Sequence, residues 1–247
     1  MKKIVFLLVS LCFFACGHQA RPPLTTWFED NGKLKVLSTT AMIHDLVKEI
    51  GGEWIDPAAL IIGDIDPHSY ELVKGDAEKI ARADLFIGNG LNLEHGASLI
   101  YQLSHHPRSV FLGDEIRKKR PEKILWIEGE LDPHIWMDIS LWSEGVESIV
   151  KALSQLDSNH REYYEKNGEA LRQKMVASHE KVLHKLQQVP PEKRYLVTSH
   201  DAFHYFALAY LQSSSSENRC VAPEGLAPEG QLSSADIQRV IDHLCKY

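Results

Sequence analysis

Cysteine is scarce in this 247-residue chain, and its placement makes it scarcer still. Of four cysteines, Cys12 and Cys16 fall near the start, leaving Cys220 and Cys245 for the body. Two thiols make no disulfide framework, so the fold must rest on an apolar core, and a bond between them is not expected. Positive charge is also in deficit, with 27 basic against 34 acidic residues and a net charge of −7. Removing residues 1–15, which hold Lys2 and Lys3 and no acid, takes the balance to −9. That excludes a nucleic-acid partner bound through a basic surface. The apolar run of "MKKIVFLLVSLCFFAC" is too short and too early for a stable membrane span. Behind Lys2 and Lys3 it reads as a secretory signal over residues 1–15. Ala15-Cys16 resembles a lipobox with Phe13 where leucine is usual, so Cys16 is the expected site of acylation. The alternative is an unlipidated periplasmic or secreted protein.

A hydrophobic fraction of 44% and an aromatic fraction of 9% are those of a globular protein, and the length suits one large domain or two small lobes. Residues 16–32, with Pro22-Pro23 and no periodicity, read as a tether. Order begins at "KLKVLSTT", a first strand, after which Thr39 or Thr40 can cap a helix through "AMIHDLVKEIGG". Gly51-Gly52 stops it. Then "GDAEKIARAD" reads as helix, "LFIGNG" as strand, "LEHGASLIYQLS" as helix and "SVFLG" as strand. Strands alternating with helices predict an α/β fold with a parallel sheet.

From about 140 to 189 the texture is almost continuous helix, broken near "LDSNHREY", where Asp157 or Ser158 can cap a new start. Tyr164, Leu171, Met175, Val182, Leu186 and Val189 keep a helical stripe. At ~1.5 Å per residue a helix over 158–188 would reach ~46 Å, long enough to span two lobes. Pro190-Pro191 ends it; "RYLVTSH" reads as strand and "DAFHYFALAYL" as helix. One more helix, capped by Ser233 or Ser234, closes the chain.

Asp-Pro-His occurs twice, in "DIDPHSYEL" at 64–72 and "ELDPHIWMD" at 130–138. Proline fixes φ and biases the preceding residue to an extended conformation, so each imidazole follows a rigid turn. His68 and His134 therefore call for one shared role. His200 directly follows the strand "YLVTS", where α/β proteins place ligand-binding groups at the carboxyl edge of the sheet. Three neutral imidazoles so placed suit a first-row metal ion. Asp66 and Asp132 would orient their neighbours from outside the metal's own ligand shell, or simply make turns. His44, His95, His105, His106, His160, His179, His184 and His243 read instead as surface or structural residues.

Taken together, "VLSTTAMIHDLVKEIGG", "DPHSYEL", "ADLFIGNGLNLE", "DPHIWMD", "TSHDAFHYFALAYL" and "SSADIQRVID" resemble, in order from about 34 to 245, the solute-binding lipoproteins of ABC importers for zinc, manganese or iron. The resemblance implies two α/β lobes with parallel sheets joined by one long rigid helix, with a metal buried between them. It implies an N-terminal metal-binding lobe over 33–157, a connecting helix over 158–189 and a partial C-terminal lobe over 190–247. It implies metal ligands at His68, His134 and His200, one divalent transition metal ion as cargo, and an ABC importer permease as partner. A monomer without enzymatic activity, lipid-anchored in the periplasm or at the cell surface, is expected. In that family a fourth, carboxylate ligand comes from beyond the position of Tyr247, so the C-terminal lobe is expected to be incomplete and the site open.

Two other readings compete. "HDAFH" puts His200 and His204 at i and i+4 with Asp201 near where metalloproteases carry glutamate, which would make a zinc-dependent hydrolase, although aspartate is one methylene shorter. The plainer reading of His204 is that it packs or faces solvent. The third reading is a surface adhesin that a metal merely stabilises. On metal identity the cues conflict: three imidazoles lean toward zinc, but residues 107–130 contain no histidine, whereas zinc receptors of the resembled family often carry a His-rich loop between the first two ligands.

Overall fold

The computed structural model describes residues 27–212, 219–226 and 233–246. The expected leader, Cys16 and most of the tether lie outside the described residues. Strand β1 (Leu34–Ser38) buries Val36 on one face of the sheet and Leu37 on the other, as a parallel strand covered on both sides must. It pairs in parallel with β2 (Ile55–Ala59) and β3 (Leu85–Gly88), and β3 pairs in parallel with β4 (Ser109–Phe111). The sheet order is β2-β1-β3-β4. β2 has no counterpart in the sequence reading because Pro57 sits at its centre. Proline cannot donate to a ladder and is confined to edge strands, which is where β2 lies.

Helix α1 (Ala41–Gly51) buries Ile43, Leu46, Val47 and Ile50, the face its periodicity predicts. Thr40 occupies its N-cap position without a side-chain bond, and the Thr39 hydroxyl instead donates to Glu94 at 2.7 Å. Gly52 ends the helix at φ +51°, and a Cβ there would meet the hydroxyl of Tyr163, so both the turn and the close approach need glycine. Helices α2 (Asp76–Arg82) and α3 (Ala97–His105) cover the sheet face that carries Leu37 and Phe86. Helix α4 (Leu112–Lys119) leads to a hairpin of β5 (Trp126–Ile127) and β6 (Glu130–Leu131). Its turn residues Glu128 and Gly129 both have positive φ, as a two-residue hairpin turn requires.

Helices α5 (Ile139–Ser143), α6 (Val146–Leu156) and α7 (Arg161–Gln187) follow. With 27 residues α7 is ~40 Å long. It starts later than 158 because Ser158–His160 form a tight 3-10 turn. Asp157 caps nothing: its carboxylate takes His160 Nδ1 at 2.6 Å and the Tyr164 hydroxyl at 2.8 Å. Tyr164, Leu171 and Met175 pack into the main core, whereas Val182, Leu186 and Val189 are half-buried. Leu186 belongs to a separate apolar cluster with Leu196, Phe203, Phe206, Leu211 and Cys220. The long helix therefore serves the four-stranded unit with one end and a smaller second unit with the other.

That second unit holds β7 (Leu196–Val197) and β8 (Cys220–Val221), paired in parallel, with α8 (His204–Phe206) running into a π-turn over Ala207–Leu211. The expected strand "RYLVTSH" shrinks to two residues because its neighbour is equally short, and the pairing resumes only at a single bridge between His200 and Glu224. The expected helix "DAFHYFALAYL" likewise begins only at His204. Helix α9 (Ser234–Lys246) opens as predicted: the Ser233 hydroxyl accepts the Asp236 N–H at 3.2 Å and the Asp236 carboxylate accepts the Ser233 N–H at 2.9 Å. Cys220 is buried in β8 and Cys245 exposed on α9, so the two do not pair. Among the described residues no helix is long and apolar enough to cross a membrane.

Candidate metal centre

The two Asp-Pro-His turns share one local device. Asp66 Oδ1 accepts the His68 N–H at 2.9 Å, and Asp132 Oδ1 accepts the His134 N–H at 2.9 Å, so each aspartate closes a turn onto its own backbone two residues on. Only the second also holds the ring: Asp132 Oδ1 lies 2.8 Å from His134 Nδ1. A carboxylate acceptor puts the proton on Nδ1 and leaves the Nε2 lone pair outward. Asp66 gives its second oxygen to the Ser69 hydroxyl at 3.2 Å instead.

From these turns the rings converge. His68 Nε2 and His134 Nε2 are 3.1 Å apart, and His200 joins them from the second unit, its ring centroid 5.6 Å from that of His134 and 6.2 Å from that of His68. One nitrogen from each of the three lies within 4.8 Å of the others. Nitrogens bound tetrahedrally at ~2.0–2.1 Å to one zinc ion stand about 3.4 Å apart, so the trio has the right scale for a shared ion. Among the described residues, this is the group of His, Cys, Asp and Glu side chains that can close on a metal.

Electrostatics favour ligation. Burial, then the charge of His134, pushes the pKa of His68 down to about 4 against the pull of Asp66. Burial and His134 also lower that of His200, with Asp66, Glu224 and Asp201 opposing. Both imidazoles are therefore neutral at ordinary pH, with lone pairs free for a cation. Burial would raise the pKa of Asp132, but its hydrogen bond to His134 and its contact with His204 outweigh that and keep the carboxylate ionised.

His204 does not join the trio. Its Nδ1 is 3.3 Å from Asp132 Oδ2 and its Nε2 is 3.6 Å from Asp201 Oδ2. Burial opposes its charge, but Asp132 and then Asp201 more than offset it, and its pKa rises. The i, i+4 helical pair expected of a metalloprotease is not formed, because the backbone is not helical at 200–203 and His200 and His204 share no helix face. His95, expected at the surface, is exposed, yet its ring stands 5.6 Å from that of His68 at the mouth of the site. His106 meets the Ala83 carbonyl, His160 meets Asp157, and His179 meets the Tyr210 hydroxyl, all structural roles.

One network escapes a reading of the sequence. Glu94 is buried and accepts the N–H groups of Asn89 at 2.7 Å and Gly90 at 3.0 Å and the Thr39 hydroxyl at 2.7 Å. Burial raises its pKa against those bonds. The Asn89 amide in turn donates to the Pro133 carbonyl at 3.1 Å, which ties the ends of β1 and β3 to the residue before His134. The available signal was an acid closing the apolar stretch "LFIGNGLNLE". The left-handed conformation of Leu91 and Asn92 that lets Glu94 turn back is invisible there.

A parallel α/β sheet whose loops gather imidazoles, linked by one long helix to a second small sheet, is the architecture of a metal-binding solute receptor. The family described as zinc-uptake complex component A, periplasmic (ZnuA) matches residues 36–247, and the chain belongs to that family. The metal-binding protein YtgA of Chlamydia trachomatis is 40% identical over 215 residues, which cover 85% of this chain and 66% of the relative, so the chain spans about two thirds of that relative's length. The crystal structure of Fe(III)-bound YtgA superposes with a TM-score of 0.82 at 40% identity, covering 86% of this chain and 77% of the other. The periplasmic zinc-binding protein TroA of Treponema pallidum superposes with a TM-score of 0.78 at 30% identity, covering 87% and 75%. The manganese ABC transporter substrate-binding lipoprotein PsaA of Streptococcus pneumoniae is 31% identical over 220 residues, 85% of this chain and 70% of that protein. These relatives are transport receptors by name or metal-binding proteins, with iron, zinc and manganese all represented.

Proposed function

We propose that this chain is an extracytoplasmic receptor that binds one transition metal ion through His68, His134 and His200 and delivers it to the membrane permease of an ABC importer. The observation that carries the reading is the convergence of three nitrogens within 4.8 Å, with the ring of His134 held from its far side by Asp132. The PsaA name supports the importer, and the Fe(III), zinc and manganese of the relatives support a transition-metal cargo without restricting it to the divalent state. The ligands at 68 and 134 belong to a lobe over 33–157, His200 to a lobe from 190, and the helix between, reckoned over 158–189, joins the two. In this reading the protein is a monomer, and because capture and release of an ion need no covalent step it acts as a receptor and not as an enzyme.

An all-imidazole donor set ranks first-row ions by the usual divalent order, so zinc should bind more tightly than Fe(II), and Fe(II) more tightly than Mn(II). Competition titration of the purified protein against a chromophoric chelator measures all three. Manganese displacing zinc would reverse the ranking, and uptake of none of the ions would remove the receptor reading. Metal accumulation by cells lacking the protein separates a receptor from an adhesin, since only the former lowers uptake when lost. Anchoring is carried by acylated Cys16 in this reading. The Cys16→Ala protein should accumulate as unprocessed precursor or leave the membrane fraction; normal membrane retention after leader cleavage would refute the anchor.

A further inference from the structure

Two tyrosines of the second unit reach across to the loop that carries His134. Both are buried, at 2% exposure each. The Tyr205 hydroxyl accepts the Leu125 N–H at 3.0 Å and donates to the Asp132 carbonyl at 3.1 Å. The Tyr210 hydroxyl accepts the Ile139 N–H at 3.2 Å and meets His179 Nδ1 of α7 at 2.9 Å, while Asp138 Oδ1 stands 3.4 Å from the same nitrogen. The two hydroxyls thus grip the segment 125–139 near both ends, with His134 between them. Both tyrosines follow His200 within ten residues along the chain.

The backbone between them is wound for that reach. Residues five apart on an α-helix point about 140° away from each other, so an ordinary helix could not aim both rings at one segment. Here the Gln212 N–H donates to the Ala207 carbonyl, five residues back, at 3.0 Å, and Ala207–Leu211 forms a π-turn. Such a turn holds more residues than an α-turn, so it swings Tyr210 back towards the direction of Tyr205. π-turns inside helices are uncommon and cluster at functional sites.

We propose that Tyr205 and Tyr210 are positioning residues for metal capture: they latch the His134 loop to the segment that carries His200. The distance between those two imidazoles, and with it affinity and release rate, is then set by hydroxyls that never touch the ion. This rests on the receptor reading above. Coupling runs through direct contacts, because the Asp132 carbonyl that Tyr205 holds belongs to the residue whose carboxylate orients His134.

The test uses Tyr205→Phe and Tyr210→Phe, which remove one hydroxyl and keep the buried ring. Each should weaken zinc binding about 10-fold in chelator competition, chiefly as faster dissociation. In a His200→Ala background the same substitutions should cost clearly less than in wild type, since no His200 remains to be placed and only the support of His134 is lost. Loss that persists there in full would mark general destabilisation and overturn the latch. Unchanged affinity and dissociation rate in both phenylalanine variants would overturn it as well. Wild-type protein that takes up no zinc would instead refute the receptor reading, an outcome distinct from a binding wild type with indifferent tyrosine variants. A measurement on wild type alone guards against variants that fail to fold: zinc loading should slow hydrogen exchange at the Leu125 and Ile139 amides, and unaltered exchange at both would sink the proposal.

Discussion

Replacing His134 by alanine is expected to weaken zinc binding by roughly 100- to 1,000-fold. Zinc held by four protein ligands is bound by about 10–16 kcal/mol, or ~2.5–4 kcal/mol per ligand, and each 1.4 kcal/mol is a factor of ten. His134 should show the full loss because it is already held for the ion: its Nδ1 is bonded to Asp132 at 2.8 Å and its ring is buried. Nothing is recovered by relaxation when it is removed, and Asp132 is left buried without its main partner. Asp132→Asn should cost about 10- to 100-fold, since an amide can present its NH2 group to Nδ1 and shift the imidazole proton onto the ligating nitrogen. His204→Ala should cost less, because it meets only the other oxygen of Asp132, at 3.3 Å. Chelator competition at neutral pH measures all three. Full zinc affinity in His134→Ala would place the ion elsewhere.

Asp76→Ala is expected to lower folding stability by about 3–5 kcal/mol, the range for a buried ion pair broken on one side. The Asp76 carboxylate is solvent-inaccessible and accepts from Lys79 Nζ at 2.7 Å, the Tyr70 hydroxyl at 2.5 Å and the Val73 N–H at 2.9 Å. Its removal leaves the Lys79 ammonium buried and unpaired. Tyr70 lies two residues from His68, so the same change frees the turn that carries the first imidazole. The urea midpoint should fall with the slope unchanged; a midpoint within error of wild type would show that the pair contributes nothing net. The pH dependence has a definite sign. Burial alone would raise the Asp76 pKa, but the bonds from Lys79, Tyr70 and Val73 outweigh it and hold the carboxyl below its ordinary value. A folded pKa below the unfolded one means that the stabilisation is complete above the unfolded value of about 3.9 and is lost as pH falls through the folded one. The wild-type advantage over Asp76→Ala should therefore shrink only below about pH 4.

Elements whose bonds close within a few residues were legible before any fold was known. The apolar stripe of α1, the Ser233–Asp236 cap of α9 and the rigid turn before each Asp-Pro-His imidazole all rest on partners one to four positions away. The alternation of strands and helices was enough for a parallel α/β sheet, because parallel strands need covering helices on both faces. Asp66 and Asp132 look alike for the same reason: their turns are local and equal.

What separates those two aspartates is tertiary. The His134 ring folds back onto its aspartate while the His68 ring does not, and no feature of the tripeptide distinguishes them. Pro57 could stand in a strand only because β2 found the edge of the sheet, a matter of neighbours and not of propensity. The strand at 194–200 was cut to two residues by the shortness of its partner β8. Glu94, His204, Tyr205 and Tyr210 carry ordinary side chains whose roles come from residues 55, 72, 73 and 71 positions away. By itself the sequence determined which residue types with metal-ligand chemistry are present and the rigid local frames that hold two of the imidazoles; only the tertiary structure decided that the imidazoles meet, because hydrogen bonds and packing between distant segments leave no periodic trace along the chain.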